Sequence, residues 1–300
     1  MTSSDWQPSF LVIGAVKAAT TWIQMRLQDN PSVFLPDPEP HYFSTGFHLG
    51  EAHYRSFFET RHPIARVIGE KSADYLAHPQ AAQRIAAMLP QARLVVQLRN
   101  PVDRAYSDYK MLYRRGTVTG PPERYLSSTD NRFARFLDDG LYARHLLRWL
   151  DHFPREQILV YRYEDIASRP REIVEAVSAH IGVEPVFRAE MAHHRDNNSR
   201  AAILPLAVRR ALAPIKGAVR PLRGTALFEN ARALLAREIV YPPLTASGRE
   251  RLVDFYTRDI ELLETISGLD LSLWGAHPMS QVEAASSKRM LGVTPQGVRA

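Results

Sequence analysis

The 300-residue chain contains no cysteine. Disulfide staples, thiolate metal ligands and thiolate catalysis are therefore excluded. No apolar run approaches the roughly 18 residues needed to cross a bilayer. The N-terminal stretch is polar, carries Asp5, and has no basic region followed by an apolar core. No signal peptide is expected, and the cytoplasm is the expected compartment. There is no repeat of fixed period and no long low-complexity run. Acidic charge is in short supply: 38 Lys and Arg face 32 Asp and Glu, for a net charge of +6, and arginine far outnumbers lysine. That balance favours an anionic ligand, and it also suits nucleic acid or a membrane surface. Hydrophobic residues make up 45%, enough for a sizeable core in one or two domains.

What is present begins with Phe10-Leu-Val-Ile-Gly-Ala-Val-Lys-Ala-Ala-Thr-Thr-Trp-Ile23. Phe10 to Ile13 reads as a buried strand. Gly14 breaks it, and a helical pattern starts at Thr20. Strand, small-residue loop and helix N-terminus bring backbone N–H groups toward one point, where an anion is favoured. Lys17 adds a full positive charge. An ordinary strand-to-helix turn fits the same letters. A Walker A loop does not fit, because it needs glycine before the lysine and Ser or Thr after it. Here Val16 and Ala18 flank Lys17.

Further along, Val33-Phe-Leu35, Val67-Ile-Gly69, Arg93 to Leu98 and Gln157 to Tyr161 read as strands. Helical patterns lie between them, over Thr20–Asp29, Glu51–Glu59, Pro79–Leu89, Leu141–Phe153 and Pro170–Ile181. Strands alternating with helices predict an α/β fold with a mainly parallel sheet. Ser247-Gly-Arg-Glu250 matches a capping box for a last long helix, and Leu273-Trp274 is expected to pack back as an anchor. The span 116–130, rich in Gly, Pro, Ser and Thr, is expected to be a mobile loop at a substrate entrance. Residues 1–275 are expected to form one domain, with 186–240 an irregular region covering substrate or cofactor. Residues 276–300 are expected to be a flexible tail. His193, His194 and Asp196 lie in that irregular region, but adjacent histidines do not share a helix face, so no metal site is expected.

Several polar residues stand where a ligand would be met. Glu39 lies within Pro36-Asp-Pro-Glu-Pro40 and His41 directly after it, in a stiff segment that suits a general base that must be held in reach of its proton. A surface carboxylate beside a half-buried histidine is the plain alternative. Lys71 and Arg99 each stand where a strand gives way to a loop, which is where open α/β sheets keep their ligand groups. Asn100 and Pro101 read as N-cap and first residue of a helix that carries Ser107 two turns on. An arginine fork and a hydroxyl there suit a phosphate. A structural Arg99–Asp103 pair, or a Lys71–Glu70 pair, would serve equally well on sequence grounds.

The blocks together resemble the sulfotransferases that use PAPS, 3′-phosphoadenosine 5′-phosphosulfate. Lys17-Ala-Ala-Thr-Thr21 resembles their 5′-phosphosulfate loop, with Ala19 where glycine is common. Glu39-Pro-His41-Tyr-Phe43 and Glu70-Lys71-Ser-Ala-Asp-Tyr75 are similar to segments of the heparan sulfate sulfotransferase branch. Arg99-Asn-Pro-Val-Asp-Arg-Ala-Tyr-Ser107-Asp-Tyr109 resembles the 3′-phosphate motif, and Tyr163-Glu-Asp-Ile-Ala-Ser-Arg-Pro170 a strand end near the adenine. Tyr241-Pro-Pro-Leu through Trp274 is similar to the C-terminal part of bacterial members. The resemblance implies a P-loop-like three-layer fold, with the sheet flanked by helices. It implies PAPS as co-substrate, no metal, and transfer of a sulfuryl group to an acceptor hydroxyl, leaving PAP. It implies cofactor contacts from Lys17, Ala18, Ala19, Thr20, Thr21, Trp22, Arg99, Ser107 and Tyr163. Catalytic roles fall to Glu39 as base, His41 as its support, Lys17 and Lys71. Relatives often continue the Glu39 motif with Asp, and this chain has Ser44 there. The acceptor is left open among saccharide, lipid and secondary metabolite, with no specific nucleic acid partner and a monomer or homodimer. Two competing readings are a non-catalytic basic binder of nucleic acid or sulfated polymer, and a P-loop kinase.

Overall fold

Alternation along β1 sets the architecture. The computed structural model describes residues 6–188, 202, 204 and 236–275. In it, β1 (Phe10–Gly14) is buried along its whole length. Leu11 and Ile13 join one apolar cluster, and Phe10 and Val12 join another. Successive strand side chains point to opposite faces, so the clusters are the two faces of one sheet. β4 (Arg93–Leu98) divides the same way, with Leu94, Val96 and Leu98 on the first face and Val95 on the second. Burial on both faces is why these strands read as continuous apolar runs.

The other strands are β2 (Val33–Phe34), β3 (Val67–Lys71) and β5 (Ile158–Arg162). The order is β2-β3-β1-β4-β5, and every pairing is parallel. Ten helices are described: α1 (Thr20–Gln28), α2 (Gly50–Ser56), α3 (Ala81–Met88), α4 (Pro101–Arg115), α5 (Glu123–Leu126), α6 (Arg135–Asp138), α7 (Tyr142–Leu150), α8 (Pro170–Ile181), α9 (Ala246–Ser267) and α10 (Ser272–Gly275). α1 and α8 cover the second face through Ile23, Leu27, Ile173, Val174 and Val177. The other helices cover the first face, with Ile85, Tyr109, Trp149, Tyr256 and Trp274 inward. This is the expected three-layer α/β fold.

The strand order has a functional consequence. β1 lies between β3 and β4, so the chain builds one side of the sheet and then crosses to the other. Such a switch opens a crevice at the carboxyl ends of the strands. Lys71 ends β3, and the segments leaving β1, β4 and β5 carry Lys17, Arg99 and Tyr163 at that same edge.

Two local expectations are corrected. α9 is capped by Thr245, not Ser247: the Thr245 Oγ1 accepts the Gly248 N–H at 3.0 Å. Glu123 selects that residue, because its Oε1 accepts both the Thr245 N–H (2.9 Å) and its hydroxyl (2.8 Å). The span 116–130 contains α5 and is anchored, with Val118 and Leu126 buried and Tyr109 donating to the Gly120 carbonyl at 2.5 Å. Its Gly, Pro and Ser content suggested a loop, and its few apolar anchors decide the packing. Trp274 is buried against Tyr142, as an anchor should be. His193, His194, Asp196, most of 186–240 and the tail lie outside the described residues.

Gly14 ends β1 because nothing larger fits. A Cβ there would stand 2.6 Å from the Cβ of Leu76. Gly14→Ala should therefore lower folding stability by about 1–3 kcal/mol, read as a reduced urea midpoint with an unchanged slope.

Candidate active site

The loop after β1 is built from strained backbone. Lys17 and Ala19 have φ of 68° and 63°, in the left-handed region. Non-glycine residues hold such angles at a cost of about 1–3 kcal/mol each, when the surroundings over-determine them. Here the surroundings are visible. Ala15 N–H donates to the Gln97 carbonyl at 2.7 Å, and the Gln97 side-chain amide donates to the Ala18 carbonyl. Gln97 is itself fully buried and accepts from the Tyr161 hydroxyl at 2.8 Å. A polar pair from β4 and β5 thus clamps the loop. α1 then starts at Thr20 with no side-chain cap. Its first N–H groups, which a helix leaves without intrahelical partners, face the loop.

Lys17 is half-buried, and its ammonium lies 3.7 Å from the Met111 sulfur, a weak acceptor. Burial lowers its pKa, and Arg115, Arg99 and Arg135 push the same way against Asp108. The group is thus a cation among cations, a setting that favours an anion. Arg99 Nη1 donates to the Lys17 carbonyl at 3.3 Å. Its guanidinium lies 5.0 Å from the centre of the Tyr163 ring, and Tyr142 donates to its carbonyl at 2.9 Å. Asn100 caps α4 with its side chain, as its position predicts, accepting from Val102 and Asp103. Asp103 pairs with Arg249 at 2.6 Å rather than with Arg99, so Arg99 is left to the crevice. Ser107 stands half-buried on α4, one residue before Asp108 and one turn before Met111. Thr21 is half-buried and Thr20 buried at the start of α1, while Trp22, at 9% exposure, packs into the second face.

A second cluster forms across β1, from the end of β3 and the proline-braced segment. Lys71 is 3% exposed, and its Nζ meets Glu39 Oε1 at 2.5 Å. Its partner is thus Glu39, not Glu70. Glu39 Oε2 also accepts the Ala73 N–H at 3.2 Å and lies 3.9 Å from His41 Nε2. His41 has φ of 50°, and a wide helical turn follows over Tyr42–Gly46, closed by Gly46 N–H on the His41 carbonyl at 2.9 Å. Its Nδ1 is 2.7 Å from Asp74 Oδ1, and the Ser44 hydroxyl donates to Asp74 Oδ2 at 2.6 Å. That hydrogen bond is the main reason the His41 pKa is raised, against burial and with help from the charges of Asp74 and Glu39. Burial works to raise Asp74, but the bonds from His41 and Ser44 outweigh it and hold it low.

Beneath this cluster lies Glu70, fully buried on β3. It accepts from the hydroxyls of Tyr54 and Ser72 and interacts with that of Tyr75. Those oriented hydroxyls then accept backbone N–H groups: Ser72 takes that of His41 at 2.9 Å, and Tyr75 that of Phe43 at 3.1 Å. When ionised, Glu70 is acceptor-only and sets which way each hydroxyl proton points.

Sequence reasoning had singled out Lys17, Arg99, Glu39, His41 and Lys71, and the fold gathers them at one sheet edge in two clusters. It had not assigned Gln97, Tyr161, Glu70 or Asp74. Gln97 carried a usable signal, as a polar residue inside the apolar run of β4. The lone acids of Glu70-Lys-Ser-Ala-Asp-Tyr75 carried another. The Ser44 departure becomes intelligible, because its hydroxyl supports Asp74. Among the described residues, no group of three or more His, Asp or Glu is arranged to hold a metal, and no helix is long and apolar enough to cross a membrane.

A parallel α/β sheet with an anion loop after its first strand defines a broad class of group-transfer folds. The comparison with known proteins narrows it. The model of the sulfotransferase family matches residues 36–187, and the chain belongs to that family. It is similar to heparan sulfate glucosamine 3-O-sulfotransferase 3B1 of Mus musculus, 33% identical over 188 residues, covering 60% of this chain and 47% of that protein. It is also similar to the bifunctional heparan sulfate N-deacetylase/N-sulfotransferase 2 of Homo sapiens, 30% identical over 202 residues, covering 60% and 22%. The chain thus spans less than half the length of either relative. A solved sulfotransferase from Alicyclobacillus acidocaldarius superposes with a TM-score of 0.67 at 25% identity, covering 90% of this chain and 99% of that one.

Glu70 sets a pH dependence of stability. Burial pushes its carboxyl from 4.5 up to about 7. A raised folded pKa means that ionisation opposes folding. The group is neutral in both states at low pH, and the penalty grows as pH rises through the window between those values. Over that window the natural chain should lose stability relative to Glu70→Gln by on the order of 3 kcal/mol. Urea unfolding of both proteins at the two ends of the window checks the difference.

Proposed function

We propose that the chain moves a sulfuryl group from PAPS to an acceptor hydroxyl and leaves PAP. The observation that carries this is the contact of Arg99 with the Lys17 loop. It brings cations from the ends of β1 and β4 to one crevice, with the Glu39–Lys71 pair on the other side of β1. A nucleotide with phosphates at two ends suits such a pair of cationic strand ends. The uncapped start of α1 and the turned backbone at Lys17 and Ala19 fit the same ligand. In this reading Lys17, Ala18, Ala19, Thr20, Thr21 and Trp22 form the 5′ end of the cofactor site. Arg99 and Ser107 hold the 3′-phosphate, and Tyr163 lies near the base. One catalytic domain covers residues 1–275 and works in the cytoplasm.

The chemistry is in-line displacement at sulfur, in which positioning and charge stabilisation dominate, as in phosphoryl transfer. Charge grows on the departing phosphate oxygen, so the Lys17 ammonium acts most strongly in the transition state. Glu39 takes the proton of the attacking hydroxyl, a contribution of roughly 10²–10⁴-fold. Lys71, paired with Glu39, would offset charge on the sulfuryl oxygens. The heparan sulfate names of the relatives make a saccharide hydroxyl the first acceptor to try. Sulfur-labelled PAPS incubated with the protein and a native extract, followed by mass spectrometry of the labelled product, identifies it.

Two outcomes are expected. PAP should raise the melting temperature, and Arg99→Ala should remove most of that shift. A shift with ATP and magnesium but none with PAP would overturn the donor assignment. Glu39→Gln should lower transfer by about 10²–10⁴-fold while the PAP shift persists. Transfer at the natural rate would take the base role from Glu39.

A further inference from the structure

Glu39 is poorly placed to keep a proton. Its Oε1 already meets the Lys71 ammonium at 2.5 Å, and its Oε2 accepts the Ala73 N–H at 3.2 Å. A protonated carboxyl would set a third donor against those two. An outlet lies alongside. His41 Nε2 is 3.9 Å from Glu39 Oε2, and the ring is 44% exposed against 28% for Glu39, so the ring is the more open of the two to water. The ring's other nitrogen is held at 2.7 Å by Asp74 Oδ1. A carboxylate only accepts, so Nδ1 must donate. The neutral ring therefore carries its proton on Nδ1 and presents the Nε2 lone pair to Glu39. Ser44 donates to Asp74 Oδ2 at 2.6 Å and keeps the carboxylate from turning away. The left-handed backbone at His41, pinned by Ser72 and by the Gly46 N–H, fixes the other end of the ring.

We propose that Asp74 is a positioning residue for proton release: it holds His41 so that Nε2 takes the acceptor's proton on from Glu39 and passes it to water. The proposal rests on the reading of the chain as a hydroxyl sulfotransferase. The step balances without an oxidant or reductant. The acceptor O–H bond breaks as its oxygen bonds to sulfur. The bond from sulfur to the 5′-phosphate oxygen breaks, and its electron pair leaves with the phosphate. The proton passes to Glu39, then to His41 Nε2, then to water. Glu39 and Lys71 are reset for the next acceptor.

The groups facing His41 fix the sign of the pH dependence. Asp74, Glu39 and Glu70 are the carboxyls around it. Lys71 is paired with Glu39, and Arg84 donates to the Phe43 and Ser44 carbonyls of the following turn. Carboxylates prevail, so the ring favours its charged form. Release requires the neutral ring, and transfer should rise with pH as His41 loses its proton. Without Asp74 the ring titrates lower, and that rise moves to lower pH.

The test uses the full chain labelled with nitrogen-15 in histidine, with the His41 signal identified by its loss in His41→Gln. In the natural protein, the neutral His41 ring should carry its proton on Nδ1. In Asp74→Ala the proton should move to Nε2, and the titration midpoint should fall, because the Asp74 hydrogen bond that raises it is gone. Transfer from labelled PAPS into the same extract should fall at least about tenfold in kcat for Asp74→Ala. The KM for PAPS and the PAP thermal shift should stay unchanged, and Asp74→Glu should recover part of the rate. A natural ring protonated on Nε2 would overturn the proposal. So would an Asp74→Ala variant with an unchanged kcat and pH profile, or one that loses rate only together with PAP binding and melting temperature. If the natural protein transfers no sulfate from PAPS, the function reading falls and takes this proposal with it. If transfer occurs but Asp74 leaves it untouched, the proposal alone falls.

Discussion

A buried ammonium needs a carboxylate, and the ion pair between Lys71 and Glu39 meets that need. Lys71 ends β3 with almost no exposure, so the chain has to bring an acid to it. The segment that does so is stiffened by prolines and reaches from the end of β2 across the crevice. Once Glu39 is fixed, His41 stands beside it, and the wide turn after His41 folds over α3. Removing Glu39 would leave the buried Lys71 ammonium without its carboxylate, at a cost of about 3–5 kcal/mol. The geometry of the candidate site and the local fold therefore depend on the same contact.

The other half of the site is maintained by strain held in place. Among the described residues, the three non-glycine positions with positive φ are Lys17, Ala19 and His41, and all three lie in the candidate site. Each is held by hydrogen bonds from a different direction: Gln97 and Arg99 on the β1 loop, Ser72 and Gly46 on His41. Stability from the two-sided core is used here to keep backbone where it would not otherwise rest.

Much of this could be read from the letters, for identifiable reasons. β1, β4 and β5 are buried on both faces, so their apolar runs are uninterrupted and easy to see. Strand ends follow from them, and with those the addresses of Lys17, Arg99 and Tyr163. Partners were harder. Lys71 and Glu39 are 32 positions apart, and periodicity says nothing about contacts at that distance. Glu70 was the obvious neighbour, yet alternation along β3 turns it to the opposite face. Ala19 gives no hint of its φ, because nothing in an alanine side chain demands the left-handed region. The choice of Thr245 over Ser247 as cap depended on Glu123, from a distant part of the chain.

The position of β1 between β3 and β4 has one more consequence. The donor loop is fastened from the β4 and β5 side, by Gln97, Tyr161 and Arg99. The segment carrying Glu39 and His41, the proposed acceptor side, is fastened from the β3 side, by Ser72, Ala73 and Tyr75. Few polar contacts are shared between these two sets of anchors, and β1 serves both as a common wall. The molecule is therefore divided for evolution or redesign. Under the proposed function, the acceptor half can be remodelled while the nucleotide half keeps its own supports, so a new product would not require a new donor site.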